Sequence, residues 1–209
     1  MSCVSAEITP IDIRLTRIVG TGAGGVADRG GLYLCVTDEQ GRIGYGEAAR
    51  IPGDRSFPTL ETLATELRDW GLVACGADID ELLATIDSHR LCGASRFAVH
   101  TALSDLAAQS AALPLAQWLA PDAASTVLTN ALVAAPTPAA VHAEVGAQAS
   151  KGFRAIKLKV GVGDITTDIT RIIAASEAAG SDVEYASMPT GRGASRTRCV
   201  LWGELASID

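Results

Sequence analysis

AIKLKV, residues Ala155–Val160, is an apolar run interrupted by Lys157 and Lys159. In a strand, residues i and i+2 leave from one face, so the two ammonium groups share a face and Ile156 and Leu158 share the other. The flanking sequence decides what such a strand belongs to. Val127–Ala134, VLTNALVA, reads as a strand. Thr137–Lys151 reads as a helix, with Thr137 as N-cap, Pro138 as first helical residue and Gly152 as stop. Asp164–Ala179 reads as a second helix closed by Gly180, and Val183 opens a third strand. Strand, helix, strand, helix, strand at this spacing is the pattern of βα units on a parallel sheet.

The chain before this segment has another character. Ile11–Val19 reads as a strand, Gly20–Gly31 as a Gly-rich loop, and Leu32–Thr37 as a second strand. Asp38–Gly41 is a turn, and Arg42–Glu47 is a third strand. Short connections between short strands make an antiparallel meander. Helices follow over Pro58–Trp70, Asp78–Ser88 and Gly93–Ser110, with a break before Pro114 and a short helix after it. The fold class is therefore an α+β domain, an antiparallel meander plus helices, followed by the opening of a parallel β/α domain. The expected boundaries are 1–124 for the first and 125–184 for the second. After Glu184 no strand or helix period continues, and 185–209 reads as an aberrant tail.

Composition bounds the function. The 209 residues are 48% hydrophobic, enough for a real core, and carry a formal net charge of −7, which argues against nucleic acid or an anionic membrane as partner. No apolar run approaches the length of a membrane span, and no apolar leader opens the chain, so a cytoplasmic location is expected. The five cysteines are scattered without a CxxC pair and read as reduced thiols.

Several motifs carry less than they promise. Gly20-x-Gly22-x-x-Gly25 matches a dinucleotide fingerprint, but that reading needs a helix next and a strand follows. His100 lies in an apolar helix and reads as a core or interface residue, while His89 and His142 read as exposed. No HxxxH or HExxH spacing makes a histidine metal site. Asp105 reads as a helix-packing residue. Glu47 reads as a buried structural carboxylate in preference to a site residue. The lysine pair carries more. With a helix on each side in the series, both faces of its strand are expected to be covered. Two ammonium groups a few ångströms apart repel, which favours loss of a proton from one of them. Such a lysine can take or give a proton near neutral pH while its neighbour stabilises developing negative charge.

GFRAIKLKVG, RIGYGEAARIPG and RFAVHTALSDLAAQSAALPLAQWL together resemble the muconate-lactonizing subgroup of the enolase superfamily. The resemblance runs from about Ile11 to Glu184. Within the subgroup the segments look most like o-succinylbenzoate synthase, and next like dipeptide epimerase or muconate cycloisomerase. The resemblance implies a capping domain followed by a (β/α)8 barrel. It implies that Lys159 is the proton-transferring lysine and Lys157 its electrostatic neighbour. It implies that a loop carrying Gly22, Gly24, Gly25, Asp28 and Arg29 shapes the substrate site. It implies a small carboxylate substrate and a Mg²⁺ ion holding an enediolate, which for the synthase means loss of water from a cyclohexadiene carboxylate in menaquinone biosynthesis.

One departure is large. The subgroup's first metal ligand belongs to a run like RVDANGAW, and here Met188 stands in place of the aspartate and Thr190 in place of the asparagine. Shifted by one base, the codons of Ala186–Gly193 can spell RVDANGAW, so the tail is expected to be out of frame. A barrel of this type takes about 250 residues, so the expectation is an incomplete barrel with no metal ligands and no bound metal, poorly soluble and catalytically inactive.

Overall fold

The computed structural model describes residues 1–21, 24–50, 56–161, 164–179 and 184–189. The chain divides into two compact units, Met1–Arg17 with Ala27–Ser125, and Ile18–Val26 with Thr126–Asp209.

The first unit holds most of a three-stranded sheet in the order β1 (Cys3–Thr21), β2 (Gly24–Asp38), β3 (Ile43–Ala49), the end of β1 and the start of β2 falling in the Ile18–Val26 segment. β2 and β3 pair antiparallel from Gly31 opposite Ala49 to Thr37 opposite Ile43. Their turn is tied by Asp38, whose carboxylate accepts from the amides of Gln40 and Arg42, each at 2.9 Å. Gly41 takes the left-handed conformation there, with φ 77°. Side chains alternate with the strand period. Leu32, Leu34 and Val36 are buried with Gly44, Gly46 and Ala48, while Tyr33, Tyr45 and Glu47 are exposed.

Four helices complete this unit: α1 (Leu60–Ala74), α2 (Ile79–Ala84), α3 (Gly93–Ser110) and α4 (Leu115–Leu119). A 3-10 turn, Ile86–Ser88, follows α2. α1 starts where Thr59 accepts the Thr62 amide, and α2 where Asp78 accepts the amides of Asp80 and Glu81. Leu63, Leu67, Val99, Leu103 and Leu106 meet Leu34 and Val36 in one apolar core. α3 lies on β3 almost backbone to backbone. A Cβ added at Gly46 would sit 1.9 Å from the Ala98 carbonyl oxygen, and one at Gly44 2.0 Å from that of Ala102.

The strands of this unit outrun the sequence reading. The stretch expected as a Gly-rich loop from Gly20 to Gly31 is largely strand, because β1 continues to Thr21 and β2 begins at Gly24. Pairing with a neighbouring strand supplies backbone hydrogen bonds that local propensity does not foresee. β2, and no helix, follows the GxGxxG match, as the sequence order requires.

The second unit contains β4 (Ala131–Val133), α5 (Pro138–Ser150), β5 (Ala155–Val160), α6 (Ile165–Ala179) and β6 (Glu184–Pro189). The strands run parallel in the order β4-β5-β6. Thr137 caps α5 through its hydroxyl, with Pro138 in the first turn. Ala131, Val133, Ile156 and Leu158 pack with Val141 and Val145 of α5 and Ala175 of α6. Both helices therefore cover the same face of the sheet, which corrects the expectation that a helix on each side in the series covers both faces of β5. The reason is topological. Right-handed crossovers that step repeatedly in one direction place every helix on one side, as in a barrel. β4 is also shorter than read, with Val127 and Leu128 exposed before it. β6 runs on through Pro189, past the point where the sequence period stops, because the edge of β5 gives it a partner.

Candidate active site

β5 sets the geometry. Ile156 and Leu158 are buried against the helices, and Lys157 and Lys159 stand half-buried on the opposite face. Lys157 lies in register with Leu132 of β4 and Ala186 of β6. Lys159 lies two pairs further along, in register with Met188 of β6. β4 has ended by then, its last paired residue, Val133, being opposite Leu158. Both lysines are thus toward the C-terminal end of a parallel strand, the end where open and closed α/β sheets carry their chemistry.

Past the end of β4, a buried ion pair takes over. Arg171 of α6 donates from Nη2 to the Lys159 carbonyl at 2.9 Å and from Nε to the Ala135 carbonyl at 3.0 Å. Its Nη1 meets Asp168 Oδ1 at 2.7 Å, and Asp168 Oδ2 accepts the Gly161 amide at 2.6 Å. Both side chains are almost fully shielded, at 7% exposure for Arg171 and 11% for Asp168. Gly161 has φ 82°, which lets the chain turn sharply out of β5. The following helix is opened by Asp164. The hydroxyl of Thr167, then its amide, hydrogen-bond this carboxylate and hold it below the usual carboxylate range.

Of the residues singled out in the sequence, the structure brings Lys157 and Lys159 together on one face. Gly22 lies outside the described residues. Gly24 and Gly25 open β2, and Asp28 and Arg29 are exposed on the same strand instead of standing in a loop. Glu47 is exposed on β3, opposite Tyr33, and is not the buried carboxylate expected of it. His100 is exposed as well, with its ring 3.4 Å from the Ser104 hydroxyl. An Ala-rich helix can bury one stripe while polar groups occupy the other, and His100 falls on the outer one. Asp105 has the packing role read for it, accepting the Tyr45 amide of β3 at 3.2 Å. Asp168 and Arg171 were not singled out. Their signal was available, since an aspartate and an arginine three apart on a helix lie on one face, and that face here is the buried one.

No three His, Cys, Asp or Glu side chains are grouped to hold a metal ion among the described residues. The register position beside Lys159 belongs to a methionine, whose soft thioether is no ligand for Mg²⁺. The described residues therefore do not supply a magnesium site. No helix among them is long and apolar enough to cross a membrane.

No protein-family profile matches the chain. It is 30% identical over 189 residues to the L-Ala-D/L-Glu epimerase of Bacillus subtilis (strain 168), covering 88% of this chain and 51% of that protein. It is 29% identical over 186 residues to muconate cycloisomerase 1 of Rhodococcus opacus, covering 85% and 50%. Among solved structures it superposes on a dipeptide epimerase from Enterococcus faecalis V583, complexed with Mg and the dipeptide L-Leu-L-Tyr. The TM-score is 0.80 at 25% identity, over 90% of this chain and 53% of that one. The chain spans about half the length of the curated relatives it matches. The relatives and structural neighbours of this chain are members of the enolase superfamily, in its mandelate racemase and muconate lactonizing branch, and the chain has the fold of a capping α+β region followed by a partial parallel β/α barrel.

Proposed function

We propose that this chain carries the base of an enzyme that removes a proton from the carbon next to a carboxylate, and that its substrate class is the dipeptide. The observation that carries the reading is the pair on β5, with Lys159 beyond the end of β4 and Lys157 one step back on the same face. Lys159 in its neutral form takes the α-proton. The C–H bond breaks, an N–H bond forms, and the electron pair moves into the neighbouring carboxylate. Lys157, on the same face, stabilises the enediolate charge as it develops. Return of a proton to the opposite face of the carbon completes an epimerisation. The relative named as an L-Ala-D/L-Glu epimerase and the neighbour complexed with L-Leu-L-Tyr support the dipeptide class. In this reading Asp28, Arg29 and the glycines from Gly22 to Gly25 shape the substrate pocket, and residues 1–124 form the capping domain.

A second reading is the dehydration performed by o-succinylbenzoate synthase, favoured by the likeness of GFRAIKLKVG and RIGYGEAARIPG to that subgroup. Both readings include the out-of-frame origin of the tail, so the chain as written is inactive and the protein read through RVDANGAW is the enzyme. The test offers L-Ala-L-Glu and the cyclohexadiene carboxylate, with Mg²⁺ in D₂O, to the chain and to the protein expressed in the shifted frame. Deuterium at the glutamate α-carbon is followed by NMR, and aromatic product by absorbance. The expected result is exchange by the second protein alone, lowered about 10³-fold or more by K159A. Undiminished exchange in K159A would remove Lys159 from the mechanism. Turnover of the cyclohexadiene alone would select the synthase, and silence toward both would leave a non-catalytic remnant.

A further inference from the structure

The clamp around the end of β5 has no part in the reading above. Lys157 is held by pairing on both sides, with β4 and with β6. Lys159 lies one residue past the last register pair of β5 with β4, Val133 opposite Leu158. Arg171 reaches this end of the strand, one fork joining the Lys159 carbonyl to the Ala135 carbonyl just beyond β4. Asp168 holds that fork with one carboxylate oxygen and the Gly161 amide with the other. The pair therefore fixes β5 on both sides of Val160, at the carbonyl of Lys159 and at the amide of Gly161.

We infer that Arg171 and Asp168 are positioning residues for Lys159, a buried guanidinium–carboxylate clamp placed where the register of β5 with β4 ends. This rests on the proposed role of Lys159. The two ideas are separable because the clamp acts on backbone whether or not the lysine transfers a proton. A planar fork can bridge two carbonyls and a carboxylate at fixed angles, and an ammonium cannot, so lysine is no substitute for Arg171. Burial makes the pair demanding as well, since either partner left alone would be an uncompensated charge.

The test uses the full 209-residue chain with R171K and D168N. Amide hydrogen exchange is read residue by residue, and acetylation of each lysine by limiting acetic anhydride is read by mass spectrometry. In the unaltered chain the Gly161 amide is expected to be protected. In R171K and in D168N it should exchange about tenfold faster or more, while the amides of Ile156 and Leu158 stay within about twofold of their original rates. The ratio of acetylation at Lys159 to that at Lys157 should change in both variants. A Gly161 amide unprotected in the unaltered chain would overturn the inference. So would exchange that rises equally along β5, because then the pair merely holds the unit together, and so would an R171K chain indistinguishable from the original. Should R171K fail to fold, D168N decides alone. Failure of the base itself looks different: K159A of the protein expressed in the shifted frame would then keep its deuterium exchange undiminished, with the Gly161 result intact.

Discussion

The two sheets of this chain meet their helices in opposite ways. In the first unit α3 rests on β3 with glycines at the contact, so that backbone faces backbone. In the second, α5 and α6 stand off the sheet on a layer of Val133, Ile156, Leu158, Val141 and Val145. The first arrangement uses up a sheet face through close approach and gives it no chemical side chains. The second spends large apolar residues on one face of each strand and leaves alternate positions of the same strand for lysines. The outward side chains differ too: Tyr33, Tyr45 and Glu47 are exposed on the first sheet, while Lys157 and Lys159 stand half-buried on the second.

Replacing glycine by alanine in each region breaks that contrast most severely. In G46A the new methyl would stand 1.9 Å from a backbone carbonyl oxygen of α3. No rotamer relieves a backbone contact, so α3 has to move from the sheet, and the expected cost is about 3–5 kcal/mol. Gly146 of α5 has nothing within 4 Å of the same added atom. There the substitution restores helix propensity and should stabilise by about 0.5–1 kcal/mol. Urea unfolding of both variants reads the two signs. A G46A chain with an unchanged midpoint would mean that α3 does not lie on β3 as described.

A smaller effect, with its own pH signature, belongs to the β2–β3 turn. Burial pushes the Asp38 carboxyl up, but the Arg42 guanidinium, the Arg42 amide and the Gln40 amide together outweigh it and hold the group below the usual carboxylate range. The guanidinium contact is 2.6 Å. A carboxylate depressed in the folded state contributes stability that is in place above its unfolded value, about 3.9. That stability is lost as pH falls through the lower folded value. D38N should therefore lower stability at neutral pH by about 2 kcal/mol. The difference should close as the solution is acidified below that range. Unfolding curves that stay equally far apart from neutral to strongly acid pH would refute the assignment.

The sequence makes some of this legible and not the rest, for reasons that differ between the regions. AIKLKV declares its own two faces because strand alternation is local, and β5 has the predicted bounds. Thr137 and Pro138 declare the start of α5 because capping is local too. The side of the sheet that α5 and α6 take depends on strand order, which no single segment encodes. The extension of β1 and β2 through the Gly-rich stretch depends on pairing partners distant in sequence. Asp168 and Arg171 do not stand out in the sequence because a charged pair on a helix is usually a solvated one, and here the carbonyls of Lys159 and Ala135 make it structural. His100 shows the converse: an apolar neighbourhood in sequence did not mean burial.

The smallest expected effect probes whether the two regions differ in energetics as they do in architecture. Each owns a helix capped by threonine. Thr59 accepts the Thr62 amide at 3.1 Å, and Thr137 accepts the Ala140 amide at 3.3 Å. Alanine at either position removes the same chemistry and should cost about 1 kcal/mol. Where that cost falls is the informative part. Each unit has its own apolar cluster, so each should open on its own. T59A should then speed amide exchange at Leu63 and Leu67 and leave Ile156 and Leu158 alone, and T137A should do the reverse. A substitution that speeds exchange at all four would mean that the chain opens as one block. The stand-off packing around β5 would then be no separate platform for its lysines, and the contrast between the two sheets would be one of shape without independent stability.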